Sequence, residues 1–249
     1  MQKKNKTNLI FKSLKIFSKK LNLNIIKIDK YNQINLKDIK KNFVVVKVRF
    51  SNLNFKDILM VKGHSGLVKQ YPHTPGIDMS GNVYFSKSKK YKKNDKVFII
   101  AKPLGTQSQG GFSEYIVVHE NWLELLPKKY SLRDIMLIGT SGYSAMKSFK
   151  VGKKIIMKNL KKPVLVTGAS GNVGLVLTLI LLKNGIQVEA LASNANAQKI
   201  LRKIGVKKIH KTKSFLVGTS FNLMNEKYSV IFDNLGGQIL DNSLKFLIK

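Results

Sequence analysis

Pro163–Gly174 reads P-V-L-V-T-G-A-S-G-N-V-G, and this stretch decides the fold. An apolar, partly β-branched run, Val164 to Thr167, meets a cluster of small residues. A long apolar stretch, Val173 to Leu182, comes next and closes on Lys183-Asn184-Gly185. The pattern predicts strand, tight turn and helix, the first βα unit of a dinucleotide-binding fold. Glycines belong there because the turn's backbone has to come close to a pyrophosphate, whose charge the helix amino end receives. The G-x-G-x-x-G spacing is met as Ala169-x-Gly171-x-x-Gly174, with alanine in the first glycine's place. Such a triplet alone is weak; a second βα unit downstream strengthens it. Ile186–Ala192 reads as a second strand, Ala195–Ile204 as a helix stopped by Gly205, Val206–His210 as a third strand and Tyr228–Asp233 as a fourth. The plainer alternative is an α/β domain of the same build that binds no nucleotide.

Upstream the period changes. Phe43–Phe50 (F-V-V-V-K-V-R-F) reads as a strong strand, Ile58–Lys62 as a short helix ended by Gly63, and Pro72–Gly81 as a tight turn entering a strand. Lys96–Ala101 and Phe112–Val118 are further strands, joined by the glycine- and glutamine-rich loop Gly105–Gly111. Met1–Lys41, rich in lysine and asparagine, reads as weak edge strands such as Asn24–Asp29. Short strands at turn-punctuated intervals predict a partly open barrel. Ser131 and Asp134 then make a capping-box-like start to a connecting helix, Ser131–Lys147, interrupted at Gly139-Thr140-Ser141-Gly142.

Composition narrows the chemistry. The chain has 249 residues, enough for one large or two medium domains at roughly 150 residues each. It has no cysteine, so disulfides and thiolate metal sites are excluded. The four histidines, His64, His73, His119 and His210, lack ligand spacing, which argues against zinc. The net charge of +32 is carried almost wholly by lysine, with arginine only at 49, 133 and 202. Dedicated nucleic-acid readers lean on arginine for bidentate and stacking contacts, so no specific nucleic-acid partner is expected. A positive field suits the capture of a nucleotide or coenzyme A ester carrying several phosphates. No run reaches the ~18 apolar residues of a membrane span. Met1–Leu21 lacks the apolar core and cleavage site of a secretory signal, so a cytoplasmic protein is expected, with an organelle transit peptide as the alternative.

Five strings, in order along the chain, carry a family resemblance. Ser51–Asp57 (S-N-L-N-F-K-D) is similar to S-x-L-N-Y-K-D, and Pro75–Gly81 (P-G-I-D-M-S-G) to P-G-I-D-x-A-G. Gly110–Glu114 (G-G-F-S-E) and Ile138–Met146 (I-G-T-S-G-Y-S-A-M) match G-G-x-x-E and I-G-T-A-G-x-T-A-M. Val166–Gly174 differs from V-T-G-A-S-G-G-V-G at one position. These are motifs of the YhdH/AcuI branch of the zinc-free medium-chain dehydrogenase/reductases, the acryloyl-coenzyme A reductases and quinone oxidoreductases. The resemblance implies an α/β chain with a GroES-like, partly open β-barrel domain and connecting helix at residues 1–150. A Rossmann doubly wound parallel sheet, incomplete at its C-terminus, would occupy residues 151–249.

It further implies NADPH-dependent hydride transfer to an activated C=C bond, with acryloyl-CoA giving propionyl-CoA. A quinone or enone reductase on the same scaffold is the alternative, as is a catalytically impaired nucleotide- or nucleic-acid-binding relative. The partners implied are a small-molecule acyl-CoA thioester or quinone, and a second copy in a homodimer. Carried over by position, cofactor contacts fall on Phe55, on the turn Ser170, Gly171, Asn172 and Val173, and at the adenosine end on Ala192, Ser193, Asn194 and Lys208. Asn54, Asp57 and Thr140 are the catalytic candidates. Plainer readings stand beside these: Phe55 as barrel core, Asp57 as a helix cap, and Asp78 as a brace for the turn at Pro75-Gly76.

The departures from the family bear on mechanism. Phe55 stands where the family has tyrosine, so no hydroxyl there can donate a proton, leaving solvent to protonate the α-carbon. Ala192-Ser193-Asn194 replaces S-G-R, losing an arginine suited to a 2′-phosphate. No acidic residue stands at that strand end to take a ribose 2′-hydroxyl, so NADPH remains the expected cofactor. Asp233-Asn-Leu-Gly-Gly237 resembles a D-x-V-G turn, and a leucine-rich helix, Leu240 to Leu247, runs from it to the chain end. Family members continue through further strands. Either a shortened chain or a fragment fits, and the sequence leaves catalytic competence open.

Overall fold

The computed structural model describes residues 7–18, 26–64, 66–216 and 227–248. They divide into two compact units, Met1–Thr140 and Ser141–Lys249.

In the first unit, strands β1 (Asn8–Ile16) and β2 (Ile26–Asn35) pair antiparallel as a separate two-stranded sheet. β3 (Phe43–Phe50), the short helix α1 (Phe55–Val61), β4 (Met79–Ser86), β5 (Lys96–Ile99), β6 (Tyr115–His119) and β7 (Glu124–Leu125) come next. These strands form an antiparallel sheet in the order β6-β3-β4-β5-β7. The solid valine run of β3 is explained by burial on both faces. Val44 and Val46 pack with Met79, Val97 and Ile99, while Val45 packs with Phe11 and Ile34 of the hairpin. The hairpin is therefore more than the weak barrel edge its composition predicts. Its backbone joins the rest at isolated points, among them Leu14 N–H to Phe112 O (2.9 Å) and Ile16 N–H to His73 O (2.8 Å). Part of the Asn24–Asp29 expectation, residues 24 and 25, lies outside the described residues.

Helix α2 (Leu132–Lys158) runs well beyond its predicted end at Lys147 and is broken at Gly139, whose φ of 50° and ψ of −165° are not helical. The interruption read from Gly139–Gly142 thus falls on its first residue. A Cβ at Gly139 would lie 2.7 Å from both Asn52 Nδ2 and Asp78 Oδ2, so a side chain there is excluded. The division between the units comes at once, after Thr140, and the boundary expected at 150/151 lies farther on, within α2.

The second unit continues with β8 (Val164–Val166), α3 (Asn172–Lys183), β9 (Val188–Ala192), α4 (Ala195–Lys203), β10 (Lys208–Lys211), β11 (Val230–Phe232) and α5 (Gly237–Leu244). The sheet is parallel throughout, in the order β10-β9-β8-β11, so the order reverses direction between β8 and β11. That is one doubly wound half with its switch point at β8/β11. α3 leaves Leu179 exposed and is buried along one side, where Leu177 and Leu181 pack with Val164, Val166 and Val188 on one face of the sheet. Truncating either to alanine costs about 2–5 kcal/mol. On the other face Leu165 and Leu191 meet Phe215, Tyr228, Ile239 and Phe246. The leucine-rich helix expected over Leu240–Leu247 ends earlier. Leu247 instead bridges parallel to Tyr228, and the Ile248 N–H donates to Tyr228 O (3.1 Å).

Candidate functional site

At the carboxyl end of β8 the chain turns through Gly168, Ala169 and Ser170 into α3. Gly168 has φ +56°, a left-handed conformation that favours glycine, whereas Ala169 is fully buried. The motif's conformational demand therefore falls one residue earlier than the triplet beginning at Ala169 suggests. A Cβ on Gly174 would lie 2.3 Å from Gly168 O, so this glycine lets the helix close on the turn. Gly171 is the N-cap, which leaves no capping side chain across the helix amino end, and it accepts from the Leu175 N–H (2.8 Å). Gly171 and Asn172 are exposed, Ser170 and Val173 half-buried. These four predicted residues run consecutively into the amino end of α3, the kind of end whose free amides and helix dipole favour an anion.

A second loop, after β11, faces the same end of the sheet. Thr167 Oγ donates to Asp233 Oδ1 (2.5 Å) and accepts from the Asn234 N–H (2.9 Å), while Asn234 Nδ2 donates to Thr167 O (2.9 Å). The Gly236 N–H donates to the other carboxylate oxygen of Asp233 (2.7 Å).

The adenosine-end residues separate. Ala192 closes β9 and is buried, while Ser193 and Asn194 are exposed. Asn194 caps α4, its Oδ1 accepting from the Ala197 N–H (2.9 Å). Lys208 is not brought to them. It opens β10 in register with Glu189, and its ammonium lies 3.2 Å from that carboxylate. Lys211, at the other end of β10 and in register with Ala192, is the basic residue at the carboxyl edge. Counting β10 from Lys208 rather than Val206 would have found it.

Glu189 anchors a cluster of its own. It is 3% exposed and accepts from Lys227 Nζ (2.7 Å) and the Tyr228 hydroxyl (2.9 Å), and it pairs with His210 Nε2 (2.7 Å). Burial alone would raise its pKa; the hydrogen bonds from Lys227, His210 and Tyr228 outweigh it and hold the pKa down to about 2.

In the first unit two of the three catalytic candidates, Asn54 and Thr140, bond to Asp78, which is fully buried. Asn54 Nδ2 donates to Asp78 Oδ2 (2.9 Å) and the Thr140 N–H to the same oxygen (2.8 Å). Thr140 Oγ donates to Asp78 Oδ1 and accepts from the Ala101 N–H (2.8 Å). Asp57, 1% exposed, accepts from the backbone N–H groups of Asn54 (2.8 Å), Gly76 (2.9 Å) and Ile77 (3.2 Å). Burial raises its pKa, and those three hydrogen bonds only partly offset the rise. The turn at Pro75-Gly76 is thus braced by Asp57, not by Asp78 as the plainer reading had it. Phe55, the first residue of α1, is 71% exposed and so is not barrel core. His73 is buried with Nε2 against Gly105 O (2.7 Å), and burial lowers its pKa, as for a neutral core histidine. Among the described residues no group of three or more histidine, aspartate or glutamate side chains is placed to hold a metal, and no helix is long and apolar enough to cross a membrane.

A glycine turn on a doubly wound sheet, preceded by an antiparallel domain, defines a medium-chain dehydrogenase/reductase. Residues 40–128 match the alcohol dehydrogenase GroES-like domain. The acrylyl-CoA reductase AcuI of Ruegeria pomeroyi is 34% identical over 208 residues, 84% of this chain and 63% of the relative. The Bacillus subtilis protein yhfP, solved with NAD bound, is 30% identical with a TM-score of 0.82, covering 96% of this chain and 71% of that one. The yhdH oxidoreductase of Salmonella enterica, solved with NADP, is 26% identical with a TM-score of 0.82, covering 95% and 71%. The chain belongs to the AcuI/YhdH quinone oxidoreductase-like branch of that superfamily. It spans 64% and 63% of the length of the first curated relatives it matches.

Proposed function

We propose that this chain binds NADPH on the turn Gly168–Val173 and reduces an activated C=C bond, with acryloyl-CoA the substrate. The observation that carries this reading is the glycine-capped amino end of α3, closed on Gly168 and left uncovered by any capping side chain. When bound, the nicotinamide supplies a hydride to the β-carbon of the thioester's double bond, and a proton adds at the α-carbon. Ser170, Gly171, Asn172 and Val173 hold the diphosphate through backbone amides and the helix dipole. Ala192, Ser193 and Asn194 receive the adenosine ribose, and the cation for its 2′-phosphate is Lys211, since Lys208 is held by Glu189.

Phe55 carries an exposed ring and no hydroxyl, so water delivers the α-proton. The Thr140 hydroxyl already donates to Asp78 and is no proton donor either. Asn54, Asp78 and Thr140 act instead by fixing the start of α1 and the break in α2. Asp57 positions the Gly76 turn.

A quinone reductase is the second reading. It is favoured by Phe55, because a reduced quinone is protonated on oxygen by water without a dedicated acid. Following NADPH oxidation at 340 nm with acryloyl-CoA and with a benzoquinone tests both. Turnover of the thioester supports the first reading, turnover of the quinone alone supports the second, and turnover of neither overturns both.

A further inference from the structure

The β8/β11 ladder already ties these two strands, through Val230–Phe232 against Val164–Val166 and the Thr167 N–H on Phe232 O (3.0 Å). The side-chain bonds of Thr167, Asp233 and Asn234 lie past the end of that ladder, so they fix loops rather than the sheet. They act where the chain diverges, because α3 packs on one face of the sheet and Ile239 of α5 on the other. The crevice between two such loops is where a doubly wound sheet takes its ligand. Its walls are Gly168 on one side and Gly236-Gly237 on the other. Both of the latter have positive φ (73° and 56°), and a Cβ on either would meet nothing within 4 Å. A Cβ on Gly168 would sit 3.2 Å from both Asn234 Cβ and Leu235 Cδ2, so the second loop lies directly against the β8 turn.

We propose that Thr167 and Asn234 are positioning residues for the dinucleotide, setting the separation of the two loops so that one ligand can span both. This rests on the NADPH reading above. A ligand that reaches only the β8 turn and the end of β9 does not depend on this clamp, whereas one that continues past β11 does.

The test compares NADPH with 2′,5′-ADP, which lacks the nicotinamide half, on the full chain and on Thr167→Val, which keeps shape but removes the hydroxyl. About a tenfold rise in the Kd for NADPH is expected, from two lost hydrogen bonds. The Kd for 2′,5′-ADP should stay within about twofold, and Thr167→Ser should restore NADPH binding. Asn234→Ala is the second variant, with the same split expected. Equal losses for both ligands would show a merely structural role and overturn the proposal, as would no loss for either. A wild-type chain that binds 2′,5′-ADP but not NADPH sinks the positioning role and leaves the turn standing. One that binds neither sinks the NADPH reading itself.

Discussion

Thr140 and Asp78 are joined twice across 62 residues of chain, once by the threonine hydroxyl and once by its backbone N–H (2.8 Å). The carboxylate is fully buried, and Asn54 supplies a third donor. This arrangement makes Asp78 the centre of the first unit's polar cluster and pins the break in α2 at Gly139.

Removing that centre takes the shared acceptor from three donors, Asn54 Nδ2 and the Thr140 hydroxyl and N–H. Asp78→Ala is expected to destabilise the chain by about 3 kcal/mol, and Asp78→Asn by less, because one acceptor oxygen remains. Urea denaturation followed by far-UV circular dichroism reads the difference; an Asp78→Ala midpoint equal to wild type would contradict the assignment.

Asp57 holds three backbone N–H groups, two of them in the Gly76 turn. Asp57→Ala should cost about 2–4 kcal/mol whether or not any ligand is present. Thermal unfolding with and without NADPH checks this. A variant with wild-type Tm and lost turnover would move Asp57 from bracing the turn to the chemistry.

Glu189 gives the second unit an acid-sensitive link. Its folded pKa is depressed, from the ordinary 4.5 to about 2, so its contribution is fully present above 4.5 and fades as pH falls from there towards 2. The depression corresponds to about 3 kcal/mol. Unfolding free energy measured from about pH 6 to about pH 2.5 should fall more steeply in wild type than in Glu189→Gln. Parallel curves would refute the link.

The two basic residues at opposite ends of β10 should behave differently. Lys211→Ala is expected to lower the preference for NADPH over NADH about five- to tenfold, the worth of one charge-assisted contact. Lys208→Ala should leave that preference unchanged, since its ammonium faces Glu189. Dissociation constants for both cofactors decide this, and a reversed pattern would return the adenosine end to Lys208.

The second unit is legible in the sequence because its signals are local. A β-branched run, a glycine turn and an apolar helix lie within about twenty residues of one another, and each predicted element there has its counterpart. The features that escape such reading depend on tertiary contact. Gly168 rather than Ala169 carries the positive φ, because the turn's shape is set by α3 closing on Gly168 O. Asp57 caps α1 as its plainer reading has it, and it also takes the turn amides given to Asp78, because which carboxylate meets them is decided by how α1 docks, not by spacing. The charge in V-E-A-L-A of β9 gives no local signal, since its partners Lys227, His210 and Tyr228 come from two other parts of the chain. The Thr167–Asp233 bond spans 66 residues and leaves no local pattern to read.

The central claim is that the turn before α3 receives a dinucleotide's diphosphate, and a calorimetric titration with NADPH of the full chain beside Gly171→Ala tests it most directly. Gly171 has φ −74°, which alanine adopts, and the new Cβ would sit 3.3 Å from Gly168 O, so the variant should keep its fold while its methyl group crowds the turn where a phosphate would approach. Saturable binding by wild type, weakened at least about tenfold in the variant at unchanged circular dichroism, is the predicted result. No heat with NADPH or NADH, or equal binding by the two proteins, would contradict it.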